Sequence, residues 1–254
     1  MNDFTSIKAL KKRTLDTYQG NWMAAIKANI LPIISAAFTS FMIMTFIGIA
    51  VVVFTQTDPA TLRQATNYDQ AASVNSAYSG TGMARDFLSM AIATFFMVGI
   101  QYGTLDWLRN RTRIPSWGAP FQTFTRKYFT STLAIFLFEF IFLTLWSFLF
   151  VIPAIIKFYS YSQSYLLYKD AQERQLTDQF EFVTFITLSR RLMNGYKARF
   201  LLLQLSLLGW FILSVLTFGI GFLWYIPYRN GVYTAFYEDL VEKRGKQVVP
   251  EIFA

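Results

Sequence analysis

Six long apolar runs, separated by segments that alternate between strongly basic and charge-poor, restrict this chain to a bundle of membrane helices. A bilayer core of about 30 Å takes roughly 20 apolar residues of helix, because each residue rises about 1.5 Å. The runs lie at 29–54, 87–108, 128–151, 153–168, 200–218 and 220–237. Pro153 and the step Phe218-Gly219-Ile220-Gly221 interrupt otherwise continuous runs, which predicts tight turns between helices. The expected fold is all-α: a polytopic membrane helical bundle of about six transmembrane helices in three hairpins, forming one integral membrane domain over 1–254.

Charge then orients the runs. Lys8, Lys11, Lys12, Arg13 and Lys27 precede the first run, and Arg109, Arg111, Arg113, Arg126 and Lys127 follow the second. Lys169, Arg174, Arg190, Arg191, Lys197 and Arg199 follow the fourth, and Lys243, Arg244 and Lys246 end the chain. The long segment 55–86 has only Arg63 and Arg85, offset by Asp58, Asp69 and Asp86. The positive-inside rule therefore places both termini, the segment 170–199 and the tail 241–254 in the cytoplasm, with 55–86 outside. The net charge of +8 reads as a topology signal. Nucleic acid is not an expected partner, because the charge is distributed around helix ends. The first run is too long for the apolar region of a signal peptide and is expected to remain as an anchor.

The catalytic inventory is thin. The chain has no cysteine and no histidine, which removes thiol chemistry, the usual general base near neutral pH and the commonest zinc ligands. It has no P-loop and no Rossmann glycine pattern. No enzyme, cofactor or metal is expected. Its 27 phenylalanines and 54% hydrophobic content suit contact with lipid.

Two segments outside the runs are amphipathic. Within 1–27, Phe4, Ile7, Leu15, Tyr18 and Trp22 lie roughly on one side, with Lys8, Lys11, Lys12 and Arg13 around the polar arc. A topology-setting leader, an interfacial helix and a sensor of anionic lipids at the cytoplasmic face are all compatible with that pattern. Within 178–192, Asp178 and Glu181 have the spacing of a capping box. Phe182, Phe185, Ile186 and Ser189 follow at helical spacing, and Arg190 and Arg191 suit the negative end of the dipole. That segment reads either as a linker packed under the bundle or as a helix that docks a cytoplasmic partner. Loop 55–86 has little apolar surface to bury. A loose repetition also recurs where the returning runs end: Asp106-Trp107, Tyr168-Lys169-Asp170 and Tyr237-Glu238-Asp239.

Charges inside apolar runs are costly and mark candidate sites. Glu139 and Arg229 both fall near the expected midplane at about 1.5 Å per residue. They are the natural ion pair of the bundle, as a lock between the third and sixth helices or as part of a pathway. Lys157, nearer the outer end of its run, is expected to snorkel outward. The fourth run carries Tyr159, Ser160, Tyr161, Ser162, Gln163, Ser164 and Tyr165, and so belongs at the bundle centre or beside a wet cavity. Gln101 and Asn230 are expected in the same polar interior, and IPYRNG, with Pro227, Asn230 and Gly231, is a candidate local opening of the sixth helix.

The carboxyl half resembles a known family. Ser189-Arg190, Met193, Gly195, Lys197, Gly209-Trp210, Gly219, Pro227-Tyr228 and Phe236-Tyr237 carry the resemblance. So do the stretch from Val151 to Asp170 and the amino-terminal LKKRTLDTYQGNW. Together they resemble the bacterial membrane family called Domain of Unknown Function 975. The resemblance implies a multi-pass protein of the bacterial cytoplasmic membrane and supplies no catalytic residues. Two functional readings follow. One is a non-enzymatic accessory to transport, envelope maintenance or peptide resistance, with the lipid bilayer and a membrane-protein or transporter partner around it. The other is a small-molecule or lipid transporter or binding protein with a polar interior around helices three, four and six, which predicts a cavity around Glu139, Gln163 and Arg229.

Overall fold

The structure, a computed structural model, describes residues 4–56 and 80–253. The middle of the predicted outer loop, 57–79, lies outside the described residues. Every regular element among the described residues is helical. Two short helices, α1 (Ile7–Tyr18) and α2 (Trp22–Ala28), lead into α3 (Ile30–Gln56). The long α4 (Gly80–Arg109) is followed by a 3-10 turn at Ala119–Phe124. Next come α5 (Phe129–Leu149), α6 (Val151–Tyr161), α7 (Ser164–Glu173) and α8 (Phe182–Leu192). The chain ends with α9 (Lys197–Leu205), α10 (Leu208–Leu216), α11 (Phe222–Leu240) and short turns through Phe253.

Among the described residues, four stretches are long and apolar enough to cross a membrane: Ile30–Gln56, Gly82–Arg109, Phe129–Leu149 and Lys197–Leu216. They identify a membrane protein. The predicted runs at 153–168 and 220–237 have a different character. The first is divided at Ser162–Gln163, so α6 has only 11 residues, and α7 beyond it is buried nearly throughout. The second forms α11, whose buried residues include Asn230, Thr234, Glu238 and Asp239. A polar helix of this kind is held by protein neighbours rather than by lipid.

The α10–α11 turn forms where the sequence placed it, with Phe218 at φ 53° and Gly219 at φ 91°. A Cβ on Gly219 would stand 2.6 Å from the Cα of Ala37, so the left-handed turn and its close approach to α3 both need glycine. Pro227 does not open α11, which runs unbroken through it. Neighbours occupy the groups nearby instead: the Tyr18 hydroxyl donates to the Pro227 carbonyl at 3.1 Å. At Gly231, a Cβ would meet Thr14 Cγ2 at 2.3 Å, so the missing side chain is what lets α1 lie against α11.

α11 is the axis of the molecule and packs on α1, α2, α3, α4 and α10. The apolar face of α1 is therefore spent internally. Leu10, Thr14, Thr17 and Tyr18 are buried, while Leu15, expected on that face, is 43% exposed. The face is fixed by the approach of α1 to Gly231, which the spacing of apolar residues alone does not give. The second amphipathic segment also departs from expectation. Its first residues form a 3-10 turn, Thr177–Gln179, and α8 begins after Glu181 with no side-chain cap, so the Asp178 capping box does not form. The apolar face of α8, with Phe185, Ile186, Leu188 and Leu192, packs on α5, α6 and α7.

At the end of the molecule that carries both termini, the three acidic-aromatic patterns converge. Arg109 of α4 donates to both carboxylate oxygens of Asp170, at 2.5 and 2.9 Å, and to Glu238 at 2.7 Å. The Tyr237 hydroxyl donates to the same Asp170 at 2.5 Å. Lys169 is bonded to Asp106 and Glu173, and Arg199 to Asp239 at 2.6 Å. Burial works against the Lys169 charge, yet the Asp106 and Glu173 carboxylates outweigh it and raise its pKa. Burial likewise opposes the Glu173 charge, and the Lys169 ammonium overcomes it to lower that pKa. The repetition thus marks the ends of three helices that one charge network fastens together.

Candidate functional site

The polar interior predicted around the fourth run has its structural origin in the α6–α7 break. Interrupting a helix strands backbone groups, which must find partners nearby. Ser189 of α8 supplies both: its hydroxyl accepts from the Gln163 N–H at 3.1 Å and donates to the Ser160 carbonyl at 2.8 Å. The side-chain amide of Gln163 donates to the Ser162 hydroxyl at 2.8 Å. With the break held from behind, Tyr161, Ser162 and Tyr165 face forward into a cavity of about 650 Å³. Glu139 of α5, Gln101 of α4, and Gln204 and Tyr233 beyond them complete its polar lining.

Two polar atoms there, Glu139 Oε1 and the Tyr165 hydroxyl, are buried and make no hydrogen bond of normal geometry among the described residues. A buried carboxylate oxygen and a phenol without hydrogen bonds are expensive to leave unmade. Around them the walls are apolar, with Met90, Met97, Phe136 and Phe140 among them. The volume falls in the range of ligand sites that take molecules of drug-like size, and the mixture of apolar wall and few polar groups is typical of such sites.

The predicted site residues do not all meet. Gln101 and Glu139 share this cavity, and Gln163 stands behind its wall. Arg229 lines a second cavity, of about 630 Å³, between α3, α4 and α11. No ion pair joins Glu139 to Arg229 among the described residues. The Arg229 guanidinium instead lies 5.8 Å from the Tyr225 ring and 6.0 Å from that of Tyr233, and its Nε has no partner. Matching two charges by depth along their helices says nothing of the angle each side chain takes around the bundle, and that angle separates them. Ala93 and Met97 of α4 line both cavities. Asn230 is fully buried and donates to Asn29 Oδ1 at 2.6 Å, pinning α11 to the start of α3.

Lys157 is the clearest departure. Its expected course was outward, yet it shares a smaller cavity with Arg190, Arg191 and Lys197. With α6 only 11 residues long, Lys157 lies within about two turns of the break and reaches the basic end of α8. Sequence reasoning did not single out Gln204 and Tyr233. No local signal marks them, because they come to the cavity from α9 and α11, far along the chain.

No curated protein and no solved structure matches this chain. Residues 159–244, from the end of α6 through α11, match the family described as "Protein of unknown function (DUF975)". The matched segment contains α7, the Ser189 clamp, Gln204, Tyr233 and the acidic end of α11. Over these residues the chain is similar to that family.

Proposed function

We propose that this is a protein of the bacterial cytoplasmic membrane that binds an amphiphilic small molecule or lipid in the cavity at Glu139, without chemistry on it. The single observation that carries the reading is the pair of unpartnered polar atoms, Glu139 Oε1 and the Tyr165 hydroxyl, in one roomy and mostly apolar cavity. Glu139 is the acceptor for a ligand's hydrogen-bond donor, such as an amine or hydroxyl. Tyr165, Gln101 and Gln204 orient the polar end, and the phenylalanine and methionine walls take the apolar part. A transporter would load from this site, whereas a carrier or sensor would hold its ligand there.

The accessory reading, with a transporter or other membrane partner, has less to draw on. The apolar faces of α1 and α8 are packed inside the molecule. A partner would have to read their polar faces.

The test uses purified full-length protein in vesicles and a fluorescent long-chain alkylamine as probe. Saturable binding that falls at least tenfold in Glu139→Gln, with the thermal midpoint unchanged or raised, supports the reading. Equal binding by the two proteins overturns it.

In the membrane, we place both termini on the cytoplasmic side, where the exposed Lys8, Lys12, Arg111, Arg126 and Lys243 gather with the charge network. Six apolar segments enter the bilayer, and α3 and α4 cross it. The α10–α11 turn stops short of the far side, because Gly219 abuts Ala37 and Ser40 reaches the Val215 carbonyl. Beyond Ser40, α3 continues for about 24 Å at about 1.5 Å per residue. The chain has no native cysteine, so single introduced thiols report cleanly. A cysteine at Gln56 is expected to react with an impermeant maleimide added outside, and one at Ile220 is expected not to react. Labelling at both would replace the half-depth turn with a complete crossing.

A further inference from the structure

Arg13, Arg109, Lys169, Arg191 and Arg199 each form an ion pair. Among the described residues Lys157, Arg190 and Lys197 form none, and they converge on one cavity of about 420 Å³ whose described lining holds no acidic residue. Arg191, also at its edge, is already bonded to Glu251 at 2.6 Å. Like charges held together in a partly desolvated space repel unless an anion stands among them. Thr187 and Asn194 line the same cavity.

The surroundings indicate what kind of anion belongs there. On α6, Ile155, Ile156 and Phe158 flank Lys157 and are 51%, 47% and 55% exposed, which is an apolar surface for acyl chains. The Lys157 ammonium lies 4.4 Å from the Trp146 ring, and tryptophan beside lysine is the usual chemistry of a headgroup boundary. A soluble anion would need no apolar wall. We propose that this cavity binds the phosphodiester headgroup of an anionic phospholipid, held by Lys157, Arg190 and Lys197, with its chains along α6. The site is separate from the Glu139 cavity and regulates nothing by itself; it fixes α6, α8 and α9 to a headgroup layer.

The experiment is native mass spectrometry of the full chain released from nanodiscs of phosphatidylcholine with a minor fraction of phosphatidylglycerol. The wild-type protein is expected to retain one phosphatidylglycerol in preference to phosphatidylcholine. Each cation removed lowers that preference about fivefold, the equivalent of about 1 kcal/mol for one basic residue at an anionic surface. Arg190→Gln, at an exposed position, therefore gives about fivefold without risk to folding, and the triple variant with Lys157→Gln and Lys197→Gln gives well over tenfold. Lys8→Gln with Lys12→Gln, on exposed residues that do not line the cavity, is expected to leave retention unchanged. Equal retention by wild type and Arg190→Gln would overturn the site. No preference for phosphatidylglycerol, together with millimolar inorganic phosphate raising the thermal midpoint of wild type only, would replace the lipid with a soluble anion.

Discussion

The end of the molecule near the termini and the end away from them are built on different principles. The first has a dense interior, where Phe236, Tyr237, Leu240, Leu10 and Tyr102 are fully buried and Asp170, Asp239 and Lys169 are nearly so. Its charges are matched by geometry, helix end against helix end. The second turns its apolar residues outward: Phe38, Phe46 and Phe54 of α3 are 64%, 73% and 72% exposed, and Phe148 at the α5–α6 turn is 82% exposed. In water such a surface would be an aggregation patch, and in a bilayer lipid covers it. One region is therefore specified by its contacts with itself and the other by its solvent. The Glu139 cavity lies between the two, lined by α4, α5, α6, α7, α9 and α11.

The largest expected effects break the self-contained region. Asp170→Asn removes the charge and one of the two acceptor oxygens, so Arg109 loses its bidentate partner and must compete with Tyr237 for the oxygen that remains. A cost of about 3–5 kcal/mol is expected for breaking a buried pair, toward the lower end because the Arg109 side chain is 29% exposed. Phe236→Ala, at a position with no exposure, is expected to cost about 3–5 kcal/mol as well. Both would show as large falls in thermal midpoint in detergent. Next comes Gly231→Ala, which drives a methyl group into Thr14 and Tyr18 and is expected to cost about 1–3 kcal/mol. It should also increase proteolysis of α1.

A smaller effect is the pH response. The Glu173 pKa is lowered from its ordinary 4.5, so its contribution is present above that value and lost as pH falls through the lower folded value. The Lys169 pKa is raised from 10.5, so its contribution is full below that pH and lost as pH rises through the higher folded value. Glu173→Gln should flatten the acid limb of a midpoint-against-pH curve; an unchanged acid limb would mean that other carboxylates govern it. The smallest effect sharpens the contrast from the other side. Phe46→Ala, on the outward face of α3, is expected to move stability by less than about 0.5 kcal/mol. A cost comparable to that of Phe236→Ala would mean that this face is covered by protein.

Much of the architecture was legible because hydrophobicity and charge act locally. The runs at 29–54 and 128–151 became α3 and α5 almost residue for residue, and Phe218-Gly219 turned where the pattern broke. The polar stretch 159–165 marked the cavity wall, because tyrosine, serine and glutamine cannot face lipid all round. Glu139 was visible as a lone acid in an apolar run. That Arg229 would not pair with it was not visible, since depth along a helix is all the sequence gives and the two residues line different cavities. The acidic-aromatic repetition was visible as a pattern, but its meaning depended on Arg109, whose neighbours Asp170 and Glu238 are 61 and 129 residues away.

By itself, then, the sequence determined a helical membrane protein with one strongly basic side, because solvent preference and helix length are properties of consecutive residues. The tertiary structure decided which face of α1 is buried, that α6 breaks where Ser189 can repair it, and that Lys157 joins Arg190 and Lys197. It also decided that Glu139 stands without a counter-ion in a cavity. These depend on rotation and packing between elements far apart in the chain, and no local spacing encodes an angle around a bundle.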